Sequence, residues 1–267
     1  MSDNSLFWTA LLDNVQANIL IFARVIGLFA FNPIFSRNNI PSRVKIGASF
    51  ALTLMISGSV ISNYSTGEIY YESLGAFAVA ALIEVAIGVI LGFFTNMFVS
   101  MLLYTGEIMD MTTGLGMAKV YDPATQTQQA IFGTYLNYMF IIYFFITNSH
   151  LQYVRIYLLS YQFIPLGADS INPDVWWIIA VYFGNLFVLA TKLAMPIIIA
   201  EVILEIAIGI LMKAVPTIQV MTVNIQLKLL AGLLLIFALS VPLSDAIDRY
   251  MGDMLESVEG LLPYLAE

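Results

Sequence analysis

The sequence predicts an all-α integral membrane protein made of helical hairpins, some of them kinked or not fully spanning, with a loop rich in glycine and methionine. Of its 267 residues, 60% are hydrophobic, and the mean hydropathy is +0.88. Only 10% are charged, whereas soluble domains carry about 25% charged residues. The apolar residues also form long runs, and about 20 such residues cross the hydrocarbon core of a bilayer as a helix.

Charge and composition exclude several classes of function. The net charge is −8, from 18 acidic and 10 basic residues, and no basic cluster suited to a phosphate backbone is present, so no nucleic-acid partner is expected. The absence of cysteine excludes disulfides, thiolate nucleophiles and Cys-ligated metals. With a single histidine, we expect neither a metal nor another cofactor.

Six apolar segments are candidates for membrane helices. The third and fifth are longer than one crossing needs, and the sixth is short for a full span. Pro196 lies inside the fifth segment, where a proline removes a backbone donor and predicts a helix kink. The segments cover residues 19–35, 44–61, 74–104, 130–147, 175–211 and 229–243.

The C-terminal residues 244–267 are acidic and predict an amphipathic helix, because their apolar residues recur at helical spacing. A helix that lies on a membrane surface normally carries Lys and Arg on its polar face, but here the acids outnumber the single Arg249. Packing against protein is therefore favoured. The apolar residues are Ile247, Tyr250, Met251, Met254, Leu255, Val258, Leu261 and Leu262.

Four ionisable residues lie inside apolar segments: Glu84, Lys192, Glu201 and Glu205. An ionised side chain there costs roughly 2.5–3.5 kcal/mol on insertion scales, so each should face protein or water. Glu201 and Glu205 share one helical face and could hold a proton as a relay. The preferred interpretation is that they pair with positive or hydrogen-bonding groups on neighbouring helices or subunits, and Lys192 is the local cation candidate.

The sequence contains no pattern typical of an enzyme. No Ser-His-acid arrangement, phosphate-binding loop or HExxH motif is present, and Gly114 with Gly116 is a weak nucleotide signal. His150 could shuttle protons or act as a hydrogen-bonded interfacial histidine. We therefore expect no catalytic activity.

Residues 105–129 read TGEIMDMTTGLGMAKVYDPATQTQQ and separate two strongly apolar segments. Gly106, Gly114 and Gly116 invite bends and Asp122-Pro123 favours a turn, so irregular backbone is expected. At membrane depth such backbone requires surrounding protein or a water-filled cavity.

The methionines of this stretch, Met109, Met111 and Met117, are flexible enough to form a deformable seal. From composition alone, a loop that plugs a pore and an ordinary solvent-exposed connection both fit.

Several motifs in sequence order resemble one family. They are FNPIFSRNNIPSRVKIG at 31–47, the stretch from GEI to YDP at 106–123, NSHL and SYQFIPLG within 148–167, and LAMPIIIAEVILEIAIGILMKAVPTIQV at 193–220. As a set they resemble the flagellar biosynthetic protein FliR family, whose injectisome counterparts are of the SpaR and YscT type. The resemblance runs through nearly the whole chain.

The resemblance implies a non-enzymatic subunit of the type III secretion export gate, in the bacterial cytoplasmic (inner) membrane at the flagellar basal body. The implied partners are FliP, FliQ and FlhB, together with unfolded flagellar export substrates. It also implies a FliP-like part over 1–171, a FliQ-like hairpin over 172–243 and the C-terminal helix over 244–267.

Residues 106–123 are similar to the plug that narrows the pore in that family. The residues that match its pattern are Gly106, Glu107, Gly114, Leu115, Ala118, Asp122 and Pro123. Asp110 and Gly116 depart from it, since Gly and Ser are expected there, and Ser149 stands where Gly is usual before His150.

A rival hypothesis is a small-solute or proton-coupled transporter. It would use Glu84, Lys192, Glu201 and Glu205 near the bilayer midplane, and broken helices are consistent with it.

Overall fold

The computed structural model describes residues 14–36, 40–62, 71–118, 120–122, 127–214 and 220–266. Within these ranges the chain is built almost wholly from α-helices, which confirms the predicted all-α membrane fold. A short 3-10 helix, Leu115–Ala118, and two three-residue strands, β1 (Val120–Asp122) and β2 (Thr127–Gln129), are additions to the prediction. The helices are α1 (Val15–Phe31), α2 (Ser42–Ile61), α3 (Leu74–Thr113), α4 (Ile131–Ile146), α5 (Ser149–Phe163), α6 (Val175–Ala214), α7 (Val220–Ala238) and α8 (Ser240–Ala266).

Three of the described helices, α2, α3 and α6, are long and apolar enough to cross a membrane. Two further pairs reach that length only together, because α4 and α5 are bent by 75° and α7 and α8 by 65°. The described chain therefore offers three to five crossings. The sixth predicted segment, 229–243, is not one straight helix, since it contains the bend between α7 and α8.

The end of α3 corrects one expectation. Irregular backbone was predicted from Gly106, but α3 remains helical to Thr113. The irregular part begins at Gly114, whose φ of 79° is the left-handed conformation that commonly ends a helix.

Pro196 does not divide the fifth apolar segment. Helix α6 runs for 40 residues with this proline inside it. A kink at Pro196 stays a prediction.

The chain forms two compact units. Of the described residues, the first unit takes those within 14–97, 150–180 and 254–266, and the second takes those within 98–149 and 181–253. The division into FliP-like and FliQ-like parts near residue 172 is a statement about resemblance and stays a prediction.

In the first unit, α1 and α3 approach each other closely through glycines. A Cβ atom on Gly88 would lie 2.0 Å from the backbone oxygen of Arg24, and one on Gly27 would lie 2.4 Å from that of Val85. No side chain fits at such distances, so glycine permits backbone contact here, as small residues do between membrane helices. This approach places Arg24 opposite Glu84.

Helix α8 buries one apolar face. All eight apolar residues that the helical spacing singles out, from Ile247 to Leu262, are buried. Asp245, Asp248 and Glu256 on the same helix are exposed. The amphipathic pattern thus determines which face of this acidic helix is buried and which is exposed.

Candidate functional site

The loop segment, residues 106–129, joins α3 to α4 within the second unit. It comprises the last turns of α3, the 3-10 helix, and the strand pair β1–β2, with residues 119 and 123–126 outside the described ranges. The two strands are antiparallel, with Val120 opposite Gln129 and Asp122 opposite Thr127. The segment therefore turns back on itself.

Local hydrogen bonds close the end of α3. The hydroxyl groups of Thr112 and Thr113 donate to the backbone oxygen of Met109, at 2.9 and 3.0 Å. Such bonds from a threonine hydroxyl to a carbonyl three or four residues earlier stay within the helix and add local contacts to its last turn. Gly114 then turns the chain out of the helix at a defined point.

Two glycines bring α3 and α4 together at the base of the segment. A Cβ atom on Gly106 would lie 2.1 Å from both the Cα and the backbone nitrogen of Gly133. A Cβ atom on Gly133 would lie 3.1 Å from the backbone oxygen of Leu103. Gly106 is thus required for close packing, which explains why it need not bend the helix.

Asp110 connects the two ends of the segment. Its carboxylate oxygens accept hydrogen bonds from the backbone N–H groups of Ile131, at 2.5 Å, and Phe132, at 3.0 Å. The side chain is fully buried. The residue at the N-cap of α4 is Ala130, which makes no capping bond, so Asp110 supplies from α3 the acceptor that α4 lacks. Sequence reasoning treated Asp110 only as a departure from the family pattern.

The methionines occupy different environments. Met109 is 1% exposed and Met111 is 67% exposed. Leu115 is buried, while Glu107 and Gly116 are half-buried. Met117 and Ala118 lie in the 3-10 helix, Asp122 lies in β1, and Pro123 falls outside the described residues.

A cavity of about 280 Å³ lies beside Met109, between α3, α6, α7 and α8. Lys192, Pro196 and Arg249 line it together with apolar side chains. Lys192 is exposed, so the structure places this predicted residue at an opening of the second unit.

Glu201 and Glu205 differ in their partners. Glu205 forms an ion pair with Lys228 of α7, with 3.2 Å between Nζ and Oε2. Glu201 is 2% exposed, and neither carboxylate oxygen has a hydrogen-bond partner within the described part of the chain. Lys192 was the expected cation, and Lys228 was missed because the sixth apolar segment was taken to begin at 229, whereas α7 begins at Val220.

Glu84 belongs to a buried network in the first unit. Its Oε2 atom accepts a hydrogen bond from Nε of Arg24 at 2.5 Å, and its Oε1 atom accepts one from the backbone N–H of Gly167 at 2.9 Å. Arg24 and Glu84 are both fully buried. Sequence reasoning missed Arg24, although an arginine inside the segment 19–35 requires a partner.

Gly167 adopts a φ of 77°, and a Cβ atom there would lie 2.1 Å from the hydroxyl oxygen of Tyr71. Burial raises the pKa of the Tyr71 hydroxyl, and the negative charges of Asp169 and Glu84 act in the same direction. Tyr71 therefore stays neutral beside this turn.

His150 lies at the bend between α4 and α5. Asn148 has a φ of 58°, a left-handed conformation that asparagine tolerates better than most residues. His150 follows in the first turn of α5 and is half-buried. No group of three or more His, Cys, Asp or Glu residues in the described ranges could hold a metal ion.

Comparison with known proteins identifies the family. Residues 15–254 match the family described as bacterial export proteins, family 1. The chain belongs to this family. Similar curated proteins include three named flagellar biosynthetic protein FliR. That of Escherichia coli K12 is 26% identical over 81% of this chain and 81% of its own length. That of Bacillus subtilis 168 is 26% identical over 87% and 89%, and that of Caulobacter vibrioides is 27% identical over 88% and 93%.

Proposed function

We propose that this chain is a non-enzymatic subunit of the flagellar type III export gate in the cytoplasmic membrane. With FliP and FliQ it would form a protein-conducting channel for unfolded flagellar substrates, and FlhB would join this gate. Residues 106–123 would help to close the pore. Membership of the export-protein family and similarity to FliR proteins over most of their length support this proposal.

The length of α6 is the observation from which we infer that the chain needs partner subunits. Its apolar stretch, Val175–Leu211, has 37 residues and is 22% buried in its most apolar window. At 1.5 Å per residue it extends for about 55 Å, whereas the hydrocarbon core is about 30 Å thick. A tilt near the typical ~20° does not remove this difference.

Exposed apolar side chains occur at both ends of this helix. Trp176 and Trp177 are 60% and 73% exposed near its start, and Ile210 and Leu211 are 67% and 47% exposed near its end. Lipid covers only part of such a surface, so other protein chains must cover the rest. The exposed apolar surface of α6 is therefore that expected of a subunit in a larger assembly.

The loop segment suits a seal that makes no demand on substrate sequence. Its base is fixed by helix packing and by Asp110, whereas Met111 is exposed and flexible. A methionine seal can close around side chains of different shape and limit ion leakage. Substrate selection then takes place before the channel.

Deletion of residues 112–119 tests closure directly. We expect the deletion to raise the ion conductance of the gate assembled with FliP and FliQ, because it removes the end of α3 and the 3-10 helix that follows it. Co-purification must first establish that the mutant assembles to the wild-type level. Wild-type conductance from a fully assembled deletion mutant would contradict the closure role.

The transporter hypothesis is less well supported, because Glu84 and Glu205 are already paired with Arg24 and Lys228. A transporter should move its solute as a single purified chain in liposomes, whereas a gate subunit requires partners. Co-purification with FliP and FliQ, without solute uptake by the chain alone, would support the gate.

A further inference from the structure

We propose that Asp110 is a positioning residue that clamps the loop segment in its closed state. This inference rests on the proposed closure role, and it concerns the residue at which the family resemblance predicts glycine. The clamp consists of the Asp110 carboxylate and the two backbone N–H groups at the start of α4.

The chemistry of the contact favours a firm hold. The N–H groups of Ile131 and Phe132 belong to the first turn of α4, where backbone donors have no intrahelical partner. A carboxylate at a helix N-terminus is also stabilised by the positive end of the helix dipole. Both hydrogen bonds are charge-assisted, with donor–acceptor distances of 2.5 and 3.0 Å. Full burial of Asp110 excludes water as a competing donor.

The position of the contact makes it a clamp and not only a helix cap. An ordinary cap comes from the residue that precedes its own helix, but here the acceptor comes from α3, on the other side of the loop. The bonds from Thr112 and Thr113 return to α3 itself, so they do not join the two sides. Asp110 does.

A second contact defines where the clamp acts. Gly106 and Gly133 hold α3 and α4 together by backbone packing, one turn before Asp110 on α3 and within the first turn of α4. Release of Asp110 therefore frees the segment beyond this point without separating the helices. In this proposal the two hydrogen bonds break before a substrate displaces the segment, which sets a threshold for opening.

The experiment compares Asp110→Asn with wild type in the full chain, assembled with FliP, FliQ and FlhB. Asparagine has a similar shape but retains one acceptor oxygen and has no charge. We expect resting ion conductance to rise about tenfold, the factor that corresponds to one lost charge-assisted bond. Amide hydrogen exchange at Ile131 and Phe132 should accelerate by a similar factor. Asp248→Asn, which changes an exposed acid of α8, is the matched control and should alter neither measurement.

A double variant separates clamping from capping. Asp110→Asn combined with Ala130→Ser places a cap acceptor on the residue before α4 and restores the end of the helix without linking α3 to it. We expect exchange at Phe132, whose N–H can donate to the new hydroxyl, to slow again while conductance stays high. If conductance returns to the wild-type value, Asp110 acts only as a cap and the clamp is refuted.

The outcomes also separate this inference from the closure role. If the 112–119 deletion leaks and assembled Asp110→Asn does not, the clamp is refuted and closure stands. If neither variant leaks, the proposed closure role of the loop segment is refuted, and the proposed clamp, which depends on it, is refuted as well. Should Asp110→Asn not assemble, exchange measured on the detergent-purified chain decides, since unchanged protection of Ile131 and Phe132 would overturn the proposal.

Discussion

Removal of either partner from the Arg24–Glu84 pair should destabilise the first unit strongly and unequally. Both side chains are fully buried, and breaking a buried pair typically costs about 3–5 kcal/mol because a charge is left uncompensated. With Glu84→Gln, Arg24 keeps hydrogen bonds to Ser160 at 3.2 Å and to the backbone oxygen of Ile164 at 3.0 Å. It also stays 4.2 Å from the ring centre of Tyr161, so we expect a loss of about 3 kcal/mol.

The reverse change leaves fewer compensating contacts. With Arg24→Met, the Glu84 carboxylate keeps the hydrogen bond from the backbone N–H of Gly167 but loses its counter-charge, so we expect a loss near 5 kcal/mol. The double variant removes both charges at similar volume and should lie within about 1.5 kcal/mol of wild type. The coupling between the two sites would then be several kcal/mol.

The assay is the free energy of unfolding of the detergent-solubilised chain, measured for the four members of the cycle. Arg155→Met is the matched control, because Arg155 is exposed and its replacement should change stability by about 0.5 kcal/mol or less. If the losses from the single variants simply add in the double variant, the two charges do not depend on each other and the reasoning is refuted.

Two glycines give further tests by thermal unfolding. Gly106→Ala should lower the unfolding midpoint, since overpacking against Gly133 costs about 1–3 kcal/mol or more. The control is Gly209→Ala in α6, where a Cβ atom would have nothing within 4 Å, and it should leave the midpoint equal or higher. Equal shifts of the midpoint for both variants would contradict the close packing. Gly167→Ala should destabilise through its φ of 77° and its contact with Tyr71, and Tyr71→Phe should relieve only the contact, leaving a residual strain of about 1–2 kcal/mol. Complete rescue by Tyr71→Phe would show that backbone strain plays no part.

Helix positions were predictable because each span needs a continuous apolar run. Segment 44–61 corresponds closely to α2, and 175–211 lies within α6. Helix ends were less predictable, since packing extends helices beyond their apolar runs. Helix α3 continues to Thr113 through polar residues, and α7 includes Lys228, which forms an ion pair with Glu205.

The contacts at the candidate site could not be read from the sequence. Gly106 suggested a bend, yet it serves the approach of Gly133, a residue 27 positions later. Asp110 has no sequence feature that identifies Ile131 as its partner. Hydropathy can be calculated from single residues, whereas these contacts depend on which helices pack together. They could therefore be identified only from the three-dimensional structure. Arg24 is the exception, because a charge in an apolar run already implies an acid elsewhere.

The buried Arg24–Glu84 pair also constrains biogenesis. Helix α1 has 17 residues and extends for only about 26 Å, so a lone arginine within it weighs heavily against partitioning from the translocon. Its counter-charge arrives 60 positions later in synthesis. We expect nascent α1 to remain close to the insertion machinery until α3 emerges, so that these two helices enter the lipid bilayer as a neutral pair.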